Sequence, residues 1–239
     1  MNWVLYRKAV TESTNADARA GLPGDVYLAD FQTSGRGRLD HRWLSPPETN
    51  LMFSAVLDAA GRSAAEVATL PLVVGLAVVR TAAKLLEAHP VRPPLALKWP
   101  NDVLANGRKL AGILCERSGD AVIAGVGINV NQREFAPELT DRATSLAMIA
   151  ARPFDRDAVL DAVLESLSAE HARWAAQGFA AIFPDIARFD HLAGHVISVR
   201  QTDADPVPAT GVCGGIQADG SLLVGDRCIY AGEAHVISH

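Results

Sequence analysis

The alternation of apolar and polar positions predicts a series of strands in the first half of the chain. Strand-like patterns occur at residues 25–31, 51–57, 102–105, 108–116 and 121–130. Between two of these runs stands Asn106-Gly107, the strongest short sequence signal of a β-hairpin. The pattern therefore predicts a hairpin followed directly by a third consecutive strand.

Helical spacing of apolar residues predicts three main helices, over residues 13–21, 63–86 and 155–177. In the first, Thr14 and Asp17 have the spacing of a capping box, with aspartate in place of glutamate. The second begins with another capping box, and the third ends before a glycine. Helices and hairpins in irregular order predict an α+β fold rather than a doubly wound parallel sheet.

The sequence pattern changes near residue 190, where short segments with strand-like composition, separated by Asp-Gly and Gly-Gly turns, begin. We therefore expect a large domain over residues 1–190 and a small β-barrel-like domain over residues 191–239. A chain of 239 residues is long enough to bury a sizeable core in this arrangement.

Composition and charge argue against several classes of protein. The net charge of −5 argues against a dedicated nucleic-acid-binding protein, although a local basic groove remains compatible with it. Three cysteines without a CxxC spacing, and His191 and His195 without a third nearby ligand, disfavour a disulfide framework and a structural metal site. No signal-peptide pattern is present, and the longest apolar run is too short to span a bilayer. The prediction is a cytoplasmic protein without membrane contact.

Several common catalytic motifs are missing from the sequence. It has no Gly-Lys dipeptide, so there is no Walker A loop, and it has neither HExxH nor GxSxG. Gly35-x-Gly37 and Gly125-x-Gly127 both lack the third glycine of a dinucleotide-binding fingerprint.

A glycine- and arginine-rich loop follows the strand at residues 25–31. Arg36 and Arg38 offer fork-shaped donors, Trp43 offers a stacking face, and the loop glycines allow backbone N–H groups to approach phosphate oxygens. This combination suits an anionic ligand that carries an aromatic ring. A solvated basic loop and, less readily, a nucleic-acid-binding segment are the alternatives.

Two of only four lysines, Lys98 and Lys109, lie within twelve positions of each other. Because successive side chains of a strand point to opposite faces, Lys109 is predicted to share one face with Ala111, Ile113 and Cys115. A lysine at the head of an apolar face either extends to the edge of the sheet or points into a pocket.

The residues around these lysines also allow two interpretations each. Asp102 beside Asn101 is compatible with Mg²⁺ or ribose binding, but also with an ordinary turn. Gly125 and Gly127 within a strand indicate close approach of a ligand, or a bulge and tight packing.

Taken together and in this order, the motifs resemble those of biotin–protein ligases. They are Glu12-Ser-Thr-Asn15, Gln32 with Gly35-Arg-Gly-Arg38 and Trp43, Lys98-Trp-Pro-Asn-Asp102, Lys109-Leu-Ala-Gly-Ile-Leu114 and Gly125-Val-Gly-Ile-Asn129. The resemblance covers nearly the whole chain and implies a mixed sheet like that of class II aminoacyl-tRNA synthetases and biotin–lipoate ligases. It also implies a small SH3-like C-terminal barrel. Ser13 and Thr14 lie so near the start that an N-terminal DNA-binding domain is not expected.

The resemblance implies that the protein joins biotin to ATP, giving biotinyl-5'-AMP, and transfers biotin to a lysine of a biotin carboxyl carrier protein. ATP and Mg²⁺ are then co-substrates, and no permanently bound cofactor is expected. The implied partners are biotin, ATP and the carrier domain of a carboxylase such as acetyl-CoA carboxylase, with a homodimer as an option and no nucleic acid.

The resemblance also implies roles for individual residues. Lys109, Arg36 and Arg38 are the implied catalytic residues. The implied biotin-binding residues are Ser13, Thr14, Asn15, Gln32, Gly35, Arg36, Gly112 and Gly127. The implied adenylate-binding residues are Arg36, Gly37, Arg38, Trp43, Lys98, Asn101, Asp102, Lys109 and Asn129. Asp102 is the implied Mg²⁺ ligand and a candidate acceptor for the proton of the carrier lysine.

The chain departs from the family pattern inside the glycine-rich loop, where Asp40 replaces a glycine and His41 replaces an arginine. We expect the loop to close over the adenylate, because a mixed anhydride hydrolyses when water reaches it. Two rival interpretations are a lipoate–protein ligase, whose expected Gly-Gly-Gly turn is missing, and a ligand-binding regulator without catalysis.

Overall fold

The computed structural model of the protein describes residues 1–39, 41–88, 90, 92–201 and 207–238. Its fold is α+β, as predicted, with two separate sheets. The strands are β1 (Val4–Thr11), β2 (Asp25–Gln32), β3 (Leu51–Asp58), β4 (Leu95–Lys98), β5 (Asp102–Ala105), β6 (Arg108–Ser118), β7 (Ala121–Ile128), β8 (Val196–Arg200), β9 (Ala209–Ile216), β10 (Leu222–Val224), β11 (Arg227–Ile229) and β12 (Glu233–Ser238). The α-helices are α1 (Thr14–Asp17), α2 (Ala64–Val67), α3 (Leu70–Leu85), α4 (Leu146–Ala150), α5 (Arg156–Gln177) and α6 (Phe183–Ala187), and short 3-10 turns follow α1 and α5.

The first sheet has seven strands in the order β1-β2-β3-β7-β6-β5-β4. Only β1 and β2 run parallel, and every other neighbouring pair is antiparallel. The predicted hairpin joins β5 to β6 through Asn106 and Gly107, whose φ angles of 52° and 72° are those of a two-residue primed turn. The predicted third strand, β7, pairs with β6 and links the hairpin to β3.

One face of this sheet is covered by α3, which packs on β4 and β6 and, on its other side, on α5. The segment Ala64–Leu85 is apolar and long enough to cross a membrane: an 18-residue window within it has a mean hydropathy of 1.6, but 61% of that window is buried inside the protein. Burial of this kind is typical of the core helix of a packed domain. The capping box at the start of α2 and the Asp155 cap of α5 are both present as predicted.

The proposed capping box at Thr14 and Asp17 is not formed. The N-cap of α1 is Ser13, which makes no side-chain capping bond, and Asp17 pairs with Lys8 of β1 instead. A helix of four residues leaves Asp17 free to reach across to the neighbouring strand, which spacing along the sequence does not reveal.

A β-bulge reverses the predicted orientation of Lys109. The ladder pairs Val103 with Ala111 but Leu104 with Lys109, so Leu110 is an extra residue on β6. Ala111 and Leu110 both lie in the core, whereas a Cβ on Gly112 would meet Lys109 Cε at 3.2 Å. Lys109 therefore shares the open face with Gly112, and not the face of Ala111, Ile113 and Cys115. Burial on the core face raises the pKa of the Cys115 thiol to about 12.

The second sheet, in the order β11-β10-β9-β8-β12, packs against the end of the first. Trp99 is buried at the junction, and its Nε1 donates a hydrogen bond to the carbonyl of Gly220 at 3.1 Å. An isolated parallel β-bridge between Leu97 and Asp190 joins β4 to the segment that precedes β8. The five strands follow the predicted boundary near residue 190, and the division into two domains stays a prediction.

Candidate functional site

A cavity of about 130 Å³ lies on the sheet face opposite α3, under the glycine-rich loop and beside β12. The predicted site residues that line it are Ser13, Thr14, Asn15, Gln32, Arg36, Gly37, Arg38, Trp43, Lys98, Asn101, Asp102, Lys109, Gly112 and Gly127. Residues from five separate segments of the sequence are therefore brought together in one place. Gly35 lines an adjoining cavity on the other side of the loop, and Asn129 lines neither.

The floor of the cavity is formed by strand glycines that are in close contact with side chains. A Cβ on Gly127 would lie 2.5 Å from the indole of Trp43, and a Cβ on Gly112 would lie 3.1 Å from the same ring. On β7, a Cβ on Gly125 would overlap the amide of Asn15. Of the two interpretations of Gly125 and Gly127, the structure shows the tight packing, which is made here against the side chains of Asn15 and Trp43.

One end of the cavity is rich in cations. Lys109 Nζ lies 2.8 Å from Asp102 Oδ1 and 5.7 Å from the centre of the Trp43 ring. Burial lowers the pKa of Lys98, an effect that the nearby Asp102 and Glu233 partly offset. Lys109 thus points into the pocket, which decides between the two interpretations of this lysine.

The second sheet contributes to this cationic end. Arg38 Nη1 donates to the carbonyl of Gly232 at 3.1 Å, and Glu233 of β12 lines the cavity. Burial lowers the pKa of Arg38, while the carboxylates of Asp102 and Glu233 raise it. Glu233 was missed at the sequence level, because no pattern near it indicates that the last strand reaches the loop.

The opposite end is neutral and polar. Thr14 N–H donates to Gln32 Oε1 at 2.8 Å, and the Thr14 hydroxyl lies 2.7 Å from the hydroxyl of Ser54 on β3. Asn15 Nδ2 donates to Glu116 Oε2 at 2.5 Å. Ser54 and Glu116 were also missed, although a serine in the middle of the apolar run of β3 is a signal that could have found Ser54.

The glycine-rich loop forms a small turn of its own over the cavity. Gly37 N–H donates to the His41 carbonyl at 2.6 Å, and Arg36 and Arg42 form an isolated bridge. Arg36 also pairs with Glu116 at 3.3 Å. Asp40, the notable departure from the family pattern, lies outside the described residues.

Asn129 is placed behind the site and not in it. It is buried, and its Nδ2 donates to the carbonyl of Thr144 at 3.0 Å and to that of Lys109 at 3.4 Å. It thereby supports the bulged start of β6 from below. Its contact with the adenylate stays a prediction.

Metal-binding potential is low in the part of the chain that the structure describes. There, no group of three or more His, Cys, Asp or Glu side chains is arranged to hold a metal ion. The rings of His191 and His195 stack with centroids 5.9 Å apart. Asp102 is the carboxylate that lines the cationic end of the cavity, where its buried Oδ1 is paired with Lys109 Nζ at 2.8 Å.

The arrangement as a whole suits a ligand that is neutral and polar at one end and anionic at the other. Thr14 and Gln32 offer hydrogen bonds at the neutral end, and Lys98, Lys109 and Arg38 stabilise negative charge at the other. Such preorganised cations favour a reaction in which two anions approach each other.

Comparisons with known proteins agree with this geometry. A biotin/lipoate A/B protein ligase family model matches residues 9–132. The chain is 36% identical over 233 residues to a biotin–[acetyl-CoA-carboxylase] ligase of Paracoccus denitrificans, covering 90% of this chain and 92% of that protein. It is 39% identical over 173 residues to the ligase of the same name from Mycobacterium tuberculosis, covering 70% of this chain but only 63% of that protein. With the bifunctional ligase/repressor BirA of Bacillus subtilis, the match covers 54% of the relative's length.

Solved structures show the same similarity in three dimensions. The biotin protein ligase from Aquifex aeolicus in complex with biotin and ATP superposes with a TM-score of 0.84 at 31% identity, covering 98% of this chain and 99% of that one. The Leishmania major biotin protein ligase in complex with biotinyl-5-AMP has a TM-score of 0.67 at 25% identity, covering 100% and 99% of the two chains. Because the family model covers more than half of its length, and a relative is matched almost end to end, the chain belongs to the biotin/lipoate A/B protein ligase family.

Proposed function

We propose that the protein is an ATP-dependent biotin–protein ligase that forms biotinyl-5'-AMP and then biotinylates a lysine of a biotin carboxyl carrier protein. The observation that carries the proposal is one cavity with a hydroxyl- and amide-lined end at Thr14 and Gln32 and a cationic end at Lys109. A ureido ring suits the first end, and a carboxylate meeting a triphosphate suits the second. The names of the relatives, and the ligands in their structures, support the same substrates.

In the first step, a carboxylate oxygen of biotin bonds to the α-phosphorus of ATP, and the bond to pyrophosphate breaks. Lys109 and Arg38 would neutralise the charge of the two approaching anions, and Arg36 would hold the loop over them. Mg²⁺ would enter on the triphosphate as part of the substrate. Asp102, the carboxylate at the cationic end of the cavity, is the group that would contact the metal.

In the second step, the lysine amine of the carrier attacks the acyl carbon of biotin, AMP leaves with the bonding electron pair, and the amine gives up a proton. Asp102 is our candidate for the acceptor of that proton, because its carboxylate lines the cavity. We include in the same proposal a cytoplasmic location, the carrier protein as partner and no nucleic-acid binding, with a homodimer as an option.

The test is biotin-dependent exchange of pyrophosphate into ATP by the purified protein. We expect exchange with biotin and none without it. Exchange with lipoate but not biotin would replace the substrate within the same family. No exchange with either would favour a ligand-binding regulator.

A further inference from the structure

A cross-strand row of three residues lies beneath the neutral end of the cavity. Ser54 of β3 pairs with Gly125 of β7, which pairs in turn with Leu114 of β6. The side chain of Asn15 lies directly over this row, in the space that the missing Cβ of Gly125 leaves. Both Asn15 and Ser54 are buried, so their polar atoms depend on one another for hydrogen bonds.

The orientation of the Asn15 amide is fixed by its neighbours. Its Nδ2 lies 2.5 Å from Glu116 Oε2 and 3.4 Å from the Leu114 carbonyl oxygen. Both neighbours are acceptors without a proton to donate, so the NH₂ group must face them. The Asn15 Oδ1 atom must then face Ser54, whose Oγ is 2.6 Å away.

The amide orientation in turn fixes two hydroxyl protons. Ser54 has one proton, and Asn15 Oδ1 can only accept, so Ser54 donates to Asn15. The 2.7 Å contact between Ser54 Oγ and Thr14 Oγ1 then requires the Thr14 hydroxyl to donate to Ser54. The competing acceptor, Gln32 Oε1, is farther from that hydroxyl, at 3.2 Å, and already receives the Thr14 backbone N–H.

With its proton directed at Ser54, the Thr14 hydroxyl has only lone pairs left for the cavity that it lines. We propose that Glu116 is a positioning residue that acts through Asn15 and Ser54 to make Thr14 Oγ1 a hydrogen-bond acceptor, so that the cavity selects a ligand with an N–H donor at this point. This inference rests on the proposed function and assigns the N–H donor to the ureido ring of biotin.

The same carboxylate also joins the glycine-rich loop to this chain of hydrogen bonds. Arg36 Nη2 lies 3.3 Å and 3.4 Å from the two carboxylate oxygens of Glu116. Glu116 therefore has two separable effects. One is on the direction in which the Thr14 hydroxyl donates its proton, and the other is on the ion pair with Arg36. A useful experiment has to distinguish them.

The experiment measures two dissociation constants by calorimetry without ATP, one for biotin and one for the analogue in which ring oxygens replace both ureido N–H groups. We expect Glu116→Ala to weaken biotin about tenfold, the size of one hydrogen bond to a buried group. We also expect the preference for biotin over the analogue to fall by a similar factor, because the Thr14 hydroxyl can then rotate and donate. Ser54→Ala is expected to have the same two effects.

Glu116→Gln separates the two effects, since an amide oxygen still accepts from Asn15 but no longer pairs ionically with Arg36. We expect it to keep the preference for biotin near the wild-type value. Gly125→Ala, which displaces the Asn15 amide, should lose the preference. The exposed Glu138→Ala is the matched control and should bind both ligands as the wild type does.

Unchanged preference in both Glu116→Ala and Ser54→Ala would overturn the inference while leaving the proposed function intact. Failure of the wild-type protein to bind biotin would overturn both. If Glu116→Ala fails to fold, as judged by thermal unfolding, Ser54→Ala and Gly125→Ala decide the question alone.

Discussion

Lys109 is the single side chain on which the cationic end of the cavity depends most. Its ammonium contacts Asp102 and lies near the Trp43 ring, so the side chain is already held in position for the proposed role at the junction of carboxylate and phosphate. Its rarity as a lysine in an arginine-rich chain was a sound signal. Its direction was not predictable, because that direction depends on the extra residue in the strand.

We expect Lys109→Ala to lower kcat/KM for adenylation by a factor that corresponds to about 3–4 kcal/mol, the loss typical of one preorganised charge contact. The assay is biotin-dependent pyrophosphate exchange. Lys84→Ala, which removes an exposed lysine of α3, is the matched control and should leave kcat/KM for adenylation unchanged. Adenylation by Lys109→Ala at near the wild-type rate would remove this residue from the mechanism.

At the scale of elements, strands and helices with clear periodicity were predicted closely and those without it were missed. β3, the β5–β6 hairpin, α3 and α5 all follow their apolar spacing. β1 was not predicted because nearly all of its residues are exposed, so no alternation marks an inner face. The bulge at Leu110 was missed for a different reason: counting by two assumes that no residue is inserted, and no glycine marks the insertion.

The contact of α5 with β3 makes a prediction about pH. His171 of α5 is buried, and its Nε2 lies 2.9 Å from the carbonyl oxygen of Asp58. Burial lowers its pKa, the Asp58 carbonyl and carboxylate raise it, and the N-terminal amine and Arg62 lower it further. Because the folded state prefers the neutral ring, this stabilisation is complete above the unfolded pKa of about 6.5 and is lost as the pH falls below it.

We expect the free energy of unfolding of the wild type to fall on going from pH 8 to pH 5 with a contribution from His171 of at most about 1.4 kcal/mol per pH unit. Urea denaturation at several pH values measures it. In His171→Gln that contribution should be gone. An equally steep decline in this variant would assign the pH dependence to other groups.

At the scale of the whole molecule, one apolar core runs through both sheets. Leu97 of the first sheet and Trp99, which follows it in the next turn, belong to the same buried cluster as Ile197, Val199 and Leu222 of the second sheet. The run of short strands after residue 190 was predictable from the sequence, but the extent of this shared core was not. The extent of the core depends on which faces of the two sheets pack against each other, and no local sequence pattern reveals that.

We therefore expect one thermal transition for the protein, with calorimetric and van't Hoff enthalpies that agree. Trp99→Phe, which removes the hydrogen bond to Gly220, should lower the free energy of unfolding by about 1 kcal/mol and keep a single transition. Two separated transitions in the wild type would mean that the sheets unfold independently.

The contact of Arg38 with Gly232, and the place of Glu233 in the cavity wall, have a consequence for synthesis. The ribosome adds these residues almost two hundred positions after the loop that they hold, and its exit tunnel conceals each newly added stretch for some time longer. A nascent chain that lacks β12 therefore lacks one wall of its cavity and part of the shared core. We expect ligand binding to begin only after β12 has left the ribosome.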